Sequence, residues 1–325
     1  MTDKQDAKID QLISVLQHAA ETETGEVLES RLSKALGHRH YRVVAVAAKI
    51  CEERFVYSQE KELVKAFRRL LNNPVKKDPN CIAKNALIRA LTAIDCADVV
   101  FYLDALHYRQ MEPVWGGSVD TAVDIRGSAA MGLANTDYPR AAMELAPMLT
   151  DPEVPVRRQV VQAMAVLRPE QAEPLLRLKA VTGDEESEVT AEVLGALVRM
   201  EPEMSAPFVA GFMDAEDAVL VESAVLALGD ASASETLEPL INKYEDEWIQ
   251  LDQRRLLIRG IALHRHQRAM EWLLEQLTEG SQPIAVAIIE TLAEFRHNEQ
   301  VRQQIQVVIE ARNEVQLSEL LSQIW

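Results

Sequence analysis

At 325 residues the chain is longer than one compact core usually supports, so either two globular bodies or one elongated array is expected. Hydrophobic residues make up 48 % but aromatics only 5 %, and there are 12 Gly and 13 Pro, so small and aliphatic side chains suited to close helix packing dominate and turn formers are too few for a strand-rich fold. A formal charge of −17 disfavours a phosphate backbone as partner, and the lack of any run of 18 apolar residues excludes a membrane-spanning helix.

The polar opening, Met1 to Lys8, does not read as a secretory signal, and a cytoplasmic protein is expected. His38-Arg39-His40-Tyr41-Arg42 follows at a helix junction, and with its later counterpart His264-Arg265-His266-Gln267-Arg268 it reads as a solvated loop, since no carboxylate or Cys completes a metal set. Early apolar anchors stand at Tyr41 and Ile82. Between and after them Lys61, Lys65, Arg68, Arg69, Lys76, Lys77, Lys84 and Arg89 form a basic patch. Cys51, Cys81 and Cys96 show no Cys-x-x-Cys spacing and are read as buried thiols, outside any disulfide framework or zinc site. Met111 to Asp124 is the most irregular stretch. It lengthens the interval to the next anchor and offers Trp115-Gly116-Gly117 as either a binding loop or a cover for the gap.

From Ile125 onward the chain is periodic. Small or apolar residues recur four, five, seven and eight positions after Ile125, Val156, Val189, Leu220, Gln253 and Ile284, and a weaker copy starts at Val315. The anchors lie 31, 33, 31, 33, 31 and 31 residues apart, against 41 and 43 for the earlier intervals. That spacing marks one broad face of an α-helix. Asp120 or Asp124, Asp151, Asp184 and Asp214 precede anchors as helix-start signals. A shorter first helix precedes several of them: 140–149, 170–178, 204–213, 234–244 and 267–277. Helices of about ten residues are marginal alone and need stacked neighbours.

The phrases Asp-Ile-Arg-Gly-Ser-Ala-Ala-Met-Gly-Leu (124–133) and Asp-Pro-Glu-Val-Pro-Val-Arg-Arg-Gln-Val-Val-Gln-Ala-Met (151–164) resemble the bacterial HEAT-like repeats first named for phycobilisome lyase subunits. Ile125-Arg126 and Val156-Arg157 match the apolar-Arg pair of that signature, whereas Val189-Thr190 and Leu220-Val221 keep only its apolar half. The resemblance covers roughly 120–300. It implies an all-α fold, an α-solenoid wound as a right-handed superhelix of about nine stacked antiparallel helix pairs. Residues 1–325 are expected to form one such solenoid, with divergent repeats over 1–110, regular ones over 120–300 and a C-terminal capping repeat over 301–325.

Charge separates along the chain. Residues 1–90 carry 16 Lys and Arg against 12 Asp and Glu, whereas 184–253 carry 18 acids and only Arg199 and Lys243 as bases. The resulting expectation is a non-catalytic scaffold whose concave face and acidic 184–253 surface bind a basic protein. The contacting residues are taken to be Trp115, Arg126, Arg157, Glu185, Glu186, Glu188, Glu192, Asp217 and Glu222. No catalytic residue, cofactor, metal or membrane is expected, and nucleic acid is not the favoured partner. The alternatives are an enzyme subunit resembling phycobilin lyases and nucleic-acid binding through the basic N-terminal patch, as in HEAT-like DNA glycosylases.

Overall fold

The computed structural model describes residues 2–325; Met1, where the segment read as no secretory signal begins, lies outside them. Twenty α-helices and one two-stranded hairpin are described. The chain divides into two compact units, 1–172 and 173–325. No described helix is long and apolar enough to cross a membrane.

Unit 1 contains α1 (Thr2–Thr22), α2 (Gly25–Leu36), α3 (Tyr41–Arg54), α4 (Glu60–Leu70), α5 (Pro74–Lys77), α6 (Ile82–Ala93) and α7 (Val99–Leu106). Strands β1 (Met111–Val114) and β2 (Gly117–Asp120) come next, then α8 (Val123–Ala134), α9 (Ala141–Leu145) and α10 (Val154–Met164). Helices α3, α6, α8 and α10 pack in succession, and α7 lies on α8. Gly132 on α8 permits that second contact, because a Cβ there would fall 2.1 Å from the Tyr102 ring. The chain is helical, as expected, apart from the hairpin, which with Asn73 to Cys81 accounts for the long early intervals.

The unit boundary falls within α11 (Pro169–Thr182). Unit 2 continues with α12 (Ser187–Met200), α13 (Pro202–Ala210), α14 (Ala218–Asp230), α15 (Ser234–Tyr244) and α16 (Leu251–Leu263). It closes with α17 (Gln267–Glu279), α18 (Gln282–Leu292), α19 (Glu299–Arg312) and α20 (Val315–Ile324). Each even-numbered helix from α12 to α18 touches the next even-numbered one, while α13 meets α15 and α17 meets α19. Alternate helices thus share a layer, and each hides its apolar stripe on its neighbours. The tightest contact joins α14 to α16: a Cβ on Gly229 would stand 2.4 Å from the Gly260 carbonyl oxygen, so only glycine fits.

Most positions that the periodicity marks are buried, although the anchor Val315 is exposed. Val160, Val161, Ala163 and Met164 are buried on α10, Val193, Leu194, Ala196 and Leu197 on α12, and Ala224, Val225, Ala227 and Leu228 on α14. Gln253 departs from this pattern. It is exposed and joins Gln250 in a reciprocal cap at the start of α16. Cys51, Cys81 and Cys96 are buried and free, and desolvation pushes their thiols up to about 12, 11 and 11.

Candidate functional site

In the hairpin Met111 pairs with Asp120, Glu112 with Val119, Pro113 with Ser118 and Val114 with Gly117, which leaves Trp115-Gly116 as a two-residue turn. Gly116 takes φ +88°, a conformation that a side chain at this position would strain. All residues from Pro113 to Val119 are exposed. Trp115 at the tip is fully so, and Met111, Val114 and Val119 add to an apolar finger. Trp115 therefore does not fold back to fill a gap.

The base of the finger is buried and polar. Glu112 Oε1 accepts from the Asn80 amide (2.6 Å), Gln110 Nε2 (2.7 Å) and Thr121 Oγ1 (2.8 Å). Asn80 and Cys81 reach this arrangement through left-handed backbone, φ +56° and +53°. Just beneath, the buried Asp78 accepts from the amides of Ala83 and Lys84 and pairs with Lys84 Nζ at 2.9 Å. At the other strand end, Asp120 accepts from the amides of Gln110 and Ala122 and from Arg126 Nη1 at 2.6 Å. Arg126 also grips Asp151 through Nε (3.1 Å) and Nη2 (3.2 Å) and donates to the Tyr108 carbonyl. Arg109 adds a second guanidinium 3.0 Å from Asp151. Asp120 and Asp151 are thus both held by arginines, Arg126 and Arg109.

The electrostatics suit anchorage. Burial by itself would raise the Asp120 carboxyl, but the Ala122 and Gln110 amides and Arg126 outweigh it and hold the group below its usual value. Glu112 is treated alike: burial opposes ionisation, and its Gln110, Thr121 and Asn80 donors prevail. The Cys81 thiol and the Tyr108 phenol are both pushed up, chiefly by desolvation. These shifts keep the carboxylates charged, and the thiol and phenol protonated, around neutral pH.

The candidate contact residues are spread over both units. Arg126 is fully buried and Arg157 nearly so, the latter donating to the carbonyls of Asp151 and Pro152. These two therefore bind their own chain: Arg126 ties α8 to the turn before α10, whereas Arg157 closes the turn that starts its own helix. In unit 2, Glu185, Glu186 and Glu188 are exposed around the start of α12, and Glu222 is exposed on α14. Glu192 is half-buried, 3.5 Å from Arg199. Asp217 is exposed but caps α14 by accepting from the Val219 amide at 2.9 Å. This replaces the capping expected of Asp214, which instead pairs with Lys243.

The same local device recurs at Asp120, Asp151, Asp184 and Asp246, each accepting from the amide two residues on. Three of the acids of 184–253, Asp184, Asp217 and Asp246, therefore hold turns ahead of helices. Sequence reasoning missed Trp248, exposed on the turn Glu245-Asp246-Glu247-Trp248, although its acidic, non-periodic setting resembles that of Trp115.

The basic patch is largely cancelled. Lys84 is buried on Asp78, and Arg69 donates to the carbonyls of Leu36 and His38. Lys65, Arg68 and Arg89 lie 3.5, 3.4 and 3.7 Å from Glu62, Asp98 and Glu52. In the His38 cluster, the His38 and His40 rings accept from the amides of His40 and Arg42. His264 is buried with Nε2 3.0 Å from Thr236 Oγ1.

No protein-family model matches the chain, and no curated protein matches it. Among solved structures it is similar to the complex of CpcE and CpcF of phycocyanin lyase from Nostoc sp., at 17 % identity and TM-score 0.36, covering 77 % of this chain and 92 % of that one. It is also similar to an engineered protein, at 13 % identity and TM-score 0.39, covering 100 % and 94 % of the two chains. A third is human deoxyhypusine hydroxylase in complex with glycerol, at 12 % identity and TM-score 0.30, covering 90 % and 99 %. The first of these structures is of a lyase, which is at odds with the expectation that this chain is not an enzyme.

Proposed function

We propose that the chain is a protein-binding helical-repeat subunit whose principal contact is the Trp115 finger. The carrying observation is the contrast between a fully exposed indole at the tip and a base fixed by Glu112, Asp120, Arg126 and Asp151. Large aromatic side chains supply much of the binding energy in protein interfaces, and one that is already positioned loses little on docking. In this reading a basic segment of the partner meets the acidic turns of unit 2, where Glu185, Glu186, Glu188 and the exposed Trp248 stand.

The test is affinity capture from native lysate, followed by titration of the co-purified protein. Trp115→Ala is expected to weaken binding by at least tenfold, about 1.4 kcal/mol or more, with stability unchanged to within about 0.5 kcal/mol. Undiminished affinity of the Trp115→Ala chain removes the finger from the interface. The alternative reading, an enzyme subunit resembling phycobilin lyases, has its own test. A visible absorbance band that forms only when bilin, an acceptor protein and this chain are mixed supports it.

A further inference from the structure

On the exposed side of α14, α16 and α18 in unit 2 lies a cleft of about 480 Å³. Its lining is mixed, and Leu226, Leu263 and Phe295 are its larger apolar members. Along it stand Arg255 and Arg259, one helical turn apart on α16, and Arg265 just beyond that helix. Among the described residues neither Arg259 nor Arg265 is held in an ion pair, and Arg255 reaches only Asp252, at 3.8 Å. Three guanidiniums beside these apolar side chains are an exception in a unit whose acids crowd its turns. The cleft also holds Glu290 and Glu294.

We propose that this cleft docks an acidic peptide segment of a partner protein, its carboxylates on Arg255, Arg259 and Arg265 and a neighbouring large apolar side chain on Leu226 and Phe295. Guanidinium forks match carboxylates bidentately, and an unpaired Arg beside apolar surface gains most from such a partner. A continuous polyanion fits poorly, because it would have to run past Glu290 and Glu294 and offers no apolar side chain to Leu226 and Phe295. The occupant is therefore a short segment that mixes carboxylate with Leu or Phe. This site is separate from the Trp115 finger and does not depend on it.

Fluorescence polarisation on the full chain tests the proposal with a labelled peptide of alternating Glu and Phe, its Lys-for-Glu counterpart and a short single-stranded DNA. The Glu peptide is expected to bind at least tenfold more tightly than the other two. Arg255→Glu combined with Arg259→Glu should weaken it by on the order of a hundredfold, whereas Trp115→Ala should leave it unchanged. Both arginines are exposed, so the double variant should keep the wild-type melting temperature. The peptide comparison on the unaltered chain stands even without that variant. Failure of the Glu peptide to bind, equal binding of the two peptides, tighter binding of DNA, or full affinity in a folded double variant would each overturn the assignment.

Discussion

Units 1 and 2 are built from the same kind of helix pair but are held together differently. In unit 1 the joints are charged and buried: Asp78 on Lys84, and Arg126 between Asp120 and Asp151. In unit 2 the tightest joint is backbone against backbone at Gly229 and Gly260, and the recurrent aspartates cap the turns outside it. A buried ion pair adds little net stability over a packed apolar pair, but it fixes geometry, because one partner cannot leave without stranding the other. Unit 1 uses that fixation where it carries a projecting hairpin, and unit 2 has no such element to hold.

The sharpest way to break this contrast is Arg126→Ala. Removing the shared guanidinium takes the buried cation from between Asp120 and Asp151 and should cost about 3–5 kcal/mol. Hydrogen exchange read helix by helix should show α6, α8 and α10 losing protection while α14 and α16 keep theirs. Equal loss in both units would mean that the ion cluster has no local role. Gly229→Ala is the mirror experiment. Its methyl meets the Gly260 carbonyl, which cannot swing aside as a side chain would, and the overpacking should cost about 1–3 kcal/mol. The loss of protection should now appear on α14 and α16.

Acid separates the units more gently. Burial first, then the charge of His266, lowers the pKa of His264 from 6.5, so the unfolded chain takes up that proton before the folded one does. Stability contributed in unit 2 is therefore fully present above about pH 6.5 and declines as pH falls toward the lower folded value. Asp120 and Glu112 are depressed carboxylates. Their contribution in unit 1 is present above their unfolded values, near pH 4, and is lost only as pH drops through the folded ones. Urea melts between pH 7 and 5, followed by exchange, should show α15 and α16 around His264 softening while the base of the hairpin in unit 1 holds. The reverse order would contradict both assignments.

The repeat core was legible because a stripe at i+4, i+5, i+7 and i+8 needs only local geometry, and Ala163, Leu197 and Leu228 are buried as that spacing implies. The finger was legible only as a break in the period, since strand pairing of Val114 with Gly117 depends on atoms that no helical count reaches. Arg126 and Arg157 were misplaced for a related reason. The pair motif shows a cation beside an apolar anchor, but the carboxylate that buries Arg126 lies 25 positions on, at Asp151, and is met only when the next pair stacks. Lys84 belonged to a basic run by spacing and is withdrawn from it by the turn at Asp78. The cleft escaped notice because a charge window ending at residue 253 stops just before Arg255 and Arg259.

The anchorage at Glu112 and Asp120 also bears on kinetics. A loop that must order itself on contact spends part of its encounter energy on lost motion, and productive collisions become rarer. Here that freedom was surrendered when unit 1 folded. A substitution at the tip should then act mainly on how long a complex lasts, whereas loosening Thr121 or Gln110 beneath it should slow how quickly one forms.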